Sequence, residues 1–159
     1  MIRLVMMVLF VLAMFLPAAQ AEDFEWTACY SGTYTGFHDK KELTPVFSWQ
    51  QNGILMSDDK RFNNITFHCE GVQVGIGENR NGYSLCTYKD VDGDMIIGGG
   101  PYTGLIHDEK FLEGTGKWKG IKGGISESKR LVRNRPNQEA MPGTYQGCRT
   151  EKGTLELPK

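Results

Sequence analysis

Between Glu113 and Gly124 the chain reads Glu-Gly-Thr-Gly-Lys-Trp-Lys-Gly-Ile-Lys-Gly-Gly, and few backbones accommodate glycines so spaced. Side chains on a strand alternate with period two. Leu112, Gly114, Gly116, Trp118 and Gly120 would then share one face, with Thr115, Lys117 and Lys119 on the other. Glycine weakens an ordinary strand. Three on one face therefore point to a sheet that bends sharply or to a second chain segment passing close to the backbone. Both occur at the corners of small closed barrels. Trp118 would fill the space beside its glycine neighbours, and its indole N–H would need a partner once buried. The competing reading is an exposed glycine-rich loop.

Helical periodicity is absent downstream of residue 21, whereas hairpin signals recur. Asn52-Gly53 separates Val46–Trp49 from Ile54–Met56, Asn81-Gly82 precedes Tyr83–Leu85, and Asp92-Gly93 separates Thr87-Tyr88 from Met95–Ile97. Such dipeptides tolerate the positive φ angles of tight turns. Adding Trp26–Phe37, Ile65–Val74, Tyr102–Ile106, Phe111–Ile121, Thr144–Cys148 and Thr154–Leu157 predicts an all-β fold of about eight to ten short strands. The glycine-faced strand favours a small closed or nearly closed antiparallel barrel over a sandwich. Gly32-Thr33-Tyr34 recurs as Gly143-Thr144-Tyr145, which reads as the same strand-and-turn chemistry used twice.

Gly114-Thr115-Gly116-Lys117-Trp118-Lys119-Gly120-Ile121-Lys122-Gly123 resembles the glycine-aromatic signature of the allene oxide cyclase and dirigent barrels. It is closer still to small exported bacterial proteins grouped with that barrel. Their pattern also includes a segment similar to Cys86-Thr87-Tyr88-Lys89-Asp90-Val91-Asp92-Gly93-Asp94, here preceded by Gly82-Tyr83. The resemblance spans about residues 65–126 and ends where a Gly-Thr-Tyr continuation gives way to Ile125-Ser126-Glu127-Ser128. It implies an antiparallel barrel around an apolar cavity.

Residues 1–21 read as a signal peptide: Arg3 supplies the positive start, Leu4–Leu16 are thirteen consecutive apolar residues, and Ala19-Gln20-Ala21 forms a small-x-small cleavage site. The apolar run is too short for a spanning helix, which needs about 20 residues. Residues 22–159 form one domain, expected in the periplasm or secreted, with no integral membrane segment after processing. Without Arg3 it carries 17 basic and 19 acidic residues, net −2, and so offers no electrostatic case for nucleic acid.

Cys29, Cys69, Cys86 and Cys148 are an even set in an exported chain and read as two disulfides, with three possible connectivities. Cys69–Cys86 with Cys29–Cys148 is favoured, because the latter would tie the first strand to the last long one. The former requires Val72 opposite Tyr83, with Gln73–Gly82 as a loop. No Cys-x-x-Cys pair or ligand spacing around His68 supports zinc. Asp90–Asp94 lacks the sixth-position glycine and closing glutamate of a calcium loop, and reads as a hairpin turn with solvated carboxylates. No metal or cofactor is expected. His38 and His107 read as surface histidines, and no serine sits on a nucleophile elbow.

Three functions remain open on sequence. One is a carrier for a small apolar ligand, lined by Trp49, Phe67, Tyr83 and Trp118 on alternation alone, against a barrel filled by its own rings. Another is a protein-interaction or inhibitor module of the envelope, contacting a partner through the basic, patternless loop 126–143. The third is a cavity-type isomerase or cyclase, which acts by enforcing substrate shape and leaves few polar markers. A carboxylate deep in the apolar interior would favour that last reading. Glu113 is the nearest candidate by position, and no catalytic residue is assigned.

Overall fold

Burial alternates residue by residue along most of the chain, which is what a strand with one face to a core and one to water requires. The computed structural model describes residues 20–36, 44–75, 79–104, 106–134 and 143–158. The expected signal peptide therefore falls outside the described residues, save for its last two positions, and so does His38. Strands run over Glu22–Gly36 (β1), Val46–Met56 (β2), Thr66–Val74 (β3), Asn81–Lys89 (β4) and Met95–Thr103 (β5). They continue over Ile106–His107 (β6), Glu109–Gly114 (β7), Lys122–Asn134 (β8) and Thr144–Glu156 (β9). Every pairing is antiparallel, in the order β4-β3-β2-β1-β9-β8-β7-β5, and β4 pairs with β5 to close the ring. The result is an eight-stranded up-and-down barrel, with the two-residue β6 added at the end of β5.

The curvature device is present but lies elsewhere than the sequence suggested. Directly opposed pairs on the inward alternation repeatedly join a glycine to an aromatic ring, among them Phe24 with Gly153, Tyr30 with Gly147, Gly32 with Tyr145, Trp49 with Gly71, Gly53 with Phe67 and Gly82 with Tyr102. A Cβ at Gly53, Gly71 or Gly82 would collide with the ring opposite as well as with a neighbouring carbonyl. The bare backbone lets each ring lie flat against the wall while the sheet coils tightly. Replacing Gly71 by valine should cost about 1–3 kcal/mol through overpacking against Trp49, read as a lowered denaturant midpoint.

The repeated Gly-Thr-Tyr has a structural meaning in the same terms. The two copies pair with each other across β1 and β9, Gly32 facing Tyr145, while the Tyr34 N–H donates to the Gly143 carbonyl (2.8 Å). Tyr34 and Tyr145 stack with ring centres 6.3 Å apart.

Residues 113–124 depart from the expected single strand. β7 stops at Gly114, and Gly116–Trp118 form a 3-10 turn with Gly116 at φ 50° and Gly120 at φ 80°. A Cβ on Gly116 would strike the Asp94 carboxylate. The glycines serve a tight turn, not a flat strand face. That turn folds Trp118 into one end of the barrel, where it stacks on Phe62 at 5.4 Å. Phe24, Trp26 and Phe111 stack beside them, filling that half of the interior with rings.

Two further expectations are corrected. Asn52-Gly53 is not a turn but lies inside the continuous β2, its glycine opposite Phe67. Residues 126–134 of the expected loop 126–143 are strand β8 paired with β9, and residues 135–142 fall outside the described residues. Register shifts at Ile125/Glu127 and Arg130/Val132 break the alternation there, which hid the strand. Asp92-Gly93 is the turn expected, with Gly93 at φ 90°.

Both disulfides join directly opposed residues: Cys29 to Cys148 across β1 and β9, and Cys69 to Cys86 across β3 and β4. Val72 faces Tyr83, but the ladder continues to Val74 and Asn81, so the loop is shorter than expected. Such bridges persist in oxidising compartments.

Candidate functional site

Next to the ring-filled half, the strands bring a belt of polar side chains inside. Glu109 on β7 points inward and is 0% exposed, its carboxylate occupying the place a side chain on Gly98 would need. The Tyr88 O–H donates to Glu109 Oε1 at 2.7 Å. Glu109 Oε2 has no hydrogen-bond partner among the described residues and stands 3.7 Å from His107 Nε2. The same nitrogen lies 2.9 Å from Ser84 Oγ. From β9, Glu151 accepts the Trp26 indole N–H at 2.7 Å and pairs with Arg149 Nε at 2.6 Å. Arg149 also sits 5.2 Å over the Tyr30 ring.

Burial, with the Glu151 charge adding to it, pushes the Glu109 carboxyl up to about 7, although Tyr88 and Arg149 pull the other way. Burial and the Arg149 cation press His107 down to about 4. Burial and the Glu109 charge lift the Tyr88 hydroxyl well above its ordinary value. Near neutral pH the belt therefore holds a neutral imidazole beside a carboxyl that can keep or release its proton. Those are the properties of a general acid–base pair. It is not a relay triad, which uses the two imidazole nitrogens separately; Ser84 and Glu109 both approach Nε2.

The belt sets a pH signature. Glu109, raised from 4.5 to about 7, holds a proton in the fold that the unfolded chain loses, so its contribution falls as pH rises through that interval. His107, lowered from 6.5 to about 4, does the reverse, and its contribution grows as pH rises toward 6.5. Between pH 4.5 and 6.5 the two slopes cancel and stability should be flat. Glu109→Gln should expose a rise, and His107→Asn a fall, each approaching about 1.4 kcal/mol per pH unit. Urea unfolding across that range checks it, and parallel profiles in all three proteins would refute it.

A second feature lies on the outer wall of β1–β4, a concavity of about 560 Å³. Thr33, Thr35, Ser48 and Gln50 line one side of it and Glu70 another, with Gly71 and Trp49 also contributing. Its apolar side is Val72, Tyr83 and Leu85, which remain 54%, 49% and 44% exposed. Bare Gly99 on β5 leaves room for the Tyr83 hydroxyl and a Leu85 methyl to lie down over the sheet.

Of the four residues expected to line one cavity, Trp49 and Tyr83 both line the outer-wall concavity, and Phe67 and Trp118 do not. Phe67 and Trp118 are packed in the core, Trp49 lies toward the opposite end and gives its indole N–H to the Tyr102 hydroxyl (2.9 Å), and Tyr83 faces outward. His107 is no surface histidine: its side chain is 12% exposed and belongs to the belt. Asp90, read as solvated, is buried. Its Oδ2 accepts the Trp118 indole N–H (2.8 Å) and pairs with Lys117 Nζ (2.9 Å), while Oδ1 caps the turn by accepting from the N–H groups of Asp92 and Asp94. Burial opposes its charge, yet these partners hold its pKa below the usual aspartate value. Glu109 and Glu151 were not singled out from the sequence, though each alternates with buried positions of its strand, Glu109 with Phe111 and Glu151 with Gly153 and Leu155. Among the described residues no group of histidines, cysteines and acids could hold a metal ion, and no helix is long and apolar enough to cross a membrane. No family model and no curated protein matches the chain.

Proposed function

We propose that this protein is an exported barrel, periplasmic or secreted, that acts as a binding module through the outer-wall groove of β1–β4. Export is supported by the two disulfides together with the leader read at residues 1–21. The barrel type is that of the allene oxide cyclase-like proteins it resembles. The observation that carries the binding reading is the exposure of Val72, Tyr83 and Leu85 beside a built concavity, while the rings of the apolar interior pack against one another. Clustered apolar side chains left in water at a concave site mark a contact surface. A fragment screen read by amide NMR tests it: hits should move the resonances of Thr33, Ser48, Val72 and Leu85.

The buried, half-partnered carboxyl of Glu109 favours a second reading, cavity chemistry of the isomerase or cyclase kind. In that case hits would move Tyr88, His107 and Glu109 instead, and Glu109→Gln would abolish their effect.

A further inference from the structure

Resting on the reading of the groove as the binding surface, its chemistry narrows the ligand. The polar side presents three hydroxyls and one amide, from Thr33, Thr35, Ser48 and Gln50, all uncharged and able both to give and to take hydrogen bonds. The facing side presents a half-exposed Tyr83 ring flanked by Val72 and Leu85. Among the described residues, Glu70 is the one charged residue along the wall, and no lysine or arginine lines it. A phosphate-bearing or nucleic-acid ligand would find no cation among those described lining residues. Gln50 Nε2 gives one hydrogen bond to Thr33 Oγ1 (3.4 Å), and a fatty chain would shut water away from the remaining donors and acceptors of these side chains, which is unfavourable. A pyranose carries an apolar C–H face and a rim of hydroxyls, and so meets both sides at once, with one carboxylate to accept from a pair of its hydroxyls. A concavity of about 560 Å³ is within the range of small-ligand sites and has room for more than one sugar ring.

We propose that the groove binds a short neutral oligosaccharide, with Tyr83 stacking on a sugar face and Gln50 and Glu70 holding its hydroxyls.

Titrating the full mature chain with chitotriose and with cellotriose, followed by amide NMR, tests this. At least one should shift Thr33, Ser48, Gln50 and Leu85 saturably at millimolar concentration or below. Tyr83→Ala, a change at an exposed side chain, should weaken binding about tenfold or more while leaving the melting temperature and the Glu109 resonance in place. Gln50→Ala is the second variant, and unchanged affinity in both overturns the proposal. Apolar or peptide fragments that move these amides when neither sugar does would overturn the sugar assignment and leave the groove as the binding surface. Shifts confined to Tyr88, His107 and Glu109 would overturn both.

Discussion

Replacing Trp118 by alanine should lower the unfolding free energy by about 5 kcal/mol, among the largest losses expected from one side chain in this barrel. Trp118 is 1% exposed and stacks on Phe62 in the end of the interior closed by the 3-10 turn. Removing a buried ring of this size costs about 3–5 kcal/mol in lost contacts and residual cavity. The change also takes the indole N–H from Asp90, whose side chain is only 2% exposed, and a buried acceptor losing a donor adds about 1–3 kcal/mol. Trp118→Phe keeps an aromatic ring, though a smaller one, and loses the donor, so it should show the second effect with only part of the first. Chemical denaturation read by midpoint at unchanged slope separates the two. A loss under about 0.5 kcal/mol for the alanine variant would mean that Trp118 sits on the surface. The same contacts predict an acid limit. Asp90 is held below its ordinary value of 3.8, so its contribution is complete above that pH and is lost as pH falls through its folded value.

The second large effect concerns the two bridges, which differ in the chain they close and in where they sit. Cys29–Cys148 closes a sequence separation of 119 residues and Cys69–Cys86 one of 17. In the chain-entropy description the first restricts the unfolded state by about 5 kcal/mol and the second by about 3. Packing works in the opposite direction. Cys69 and Cys86 are buried in the core, whereas Cys29 and Cys148 are half-buried on the outer alternation of β1 and β9. Paired substitution to alanine therefore adds a core-packing loss only at Cys69 and Cys86. If unfolded-state entropy dominates, the double variant at Cys29 and Cys148 is the less stable of the two. If packing dominates, the order reverses. Guanidinium unfolding of both double variants decides between them, and the Cys29/Cys148 variant should also open the β1–β9 seam first in hydrogen exchange.

The strand class of this protein was readable along the chain, because period-two burial is a local property carried by each segment's own side chains. The antiparallel all-β class and the Asp92-Gly93 turn followed from such short-range patterns, whereas the Cys29–Cys148 pairing was favoured on the expectation that the first strand meets the last. The glycine-rich stretch at 113–124 misled in detail for a related reason. Alternating glycines look the same whether they serve a bent strand or a turn with positive φ. Only the approach of the Asp94 carboxylate to Gly116, and of Asp90 to Trp118, selects the turn. Asn52-Gly53 shows the converse, a dipeptide suited to a hairpin that cross-strand packing of Phe67 keeps inside β2.

What a strand's own residues determine is that it is a strand and which of its faces is apolar. Which residue of another strand stands opposite is decided by register, and register is a property of the closed sheet. The glycine–aromatic pairs, the meeting of Glu109 with Tyr88 and His107, and the gathering of Thr33, Ser48, Val72 and Tyr83 into one groove all depend on it. No segment contains those contacts, because each is made by chain that is distant in sequence and becomes adjacent only when β1 meets β9 and the barrel closes.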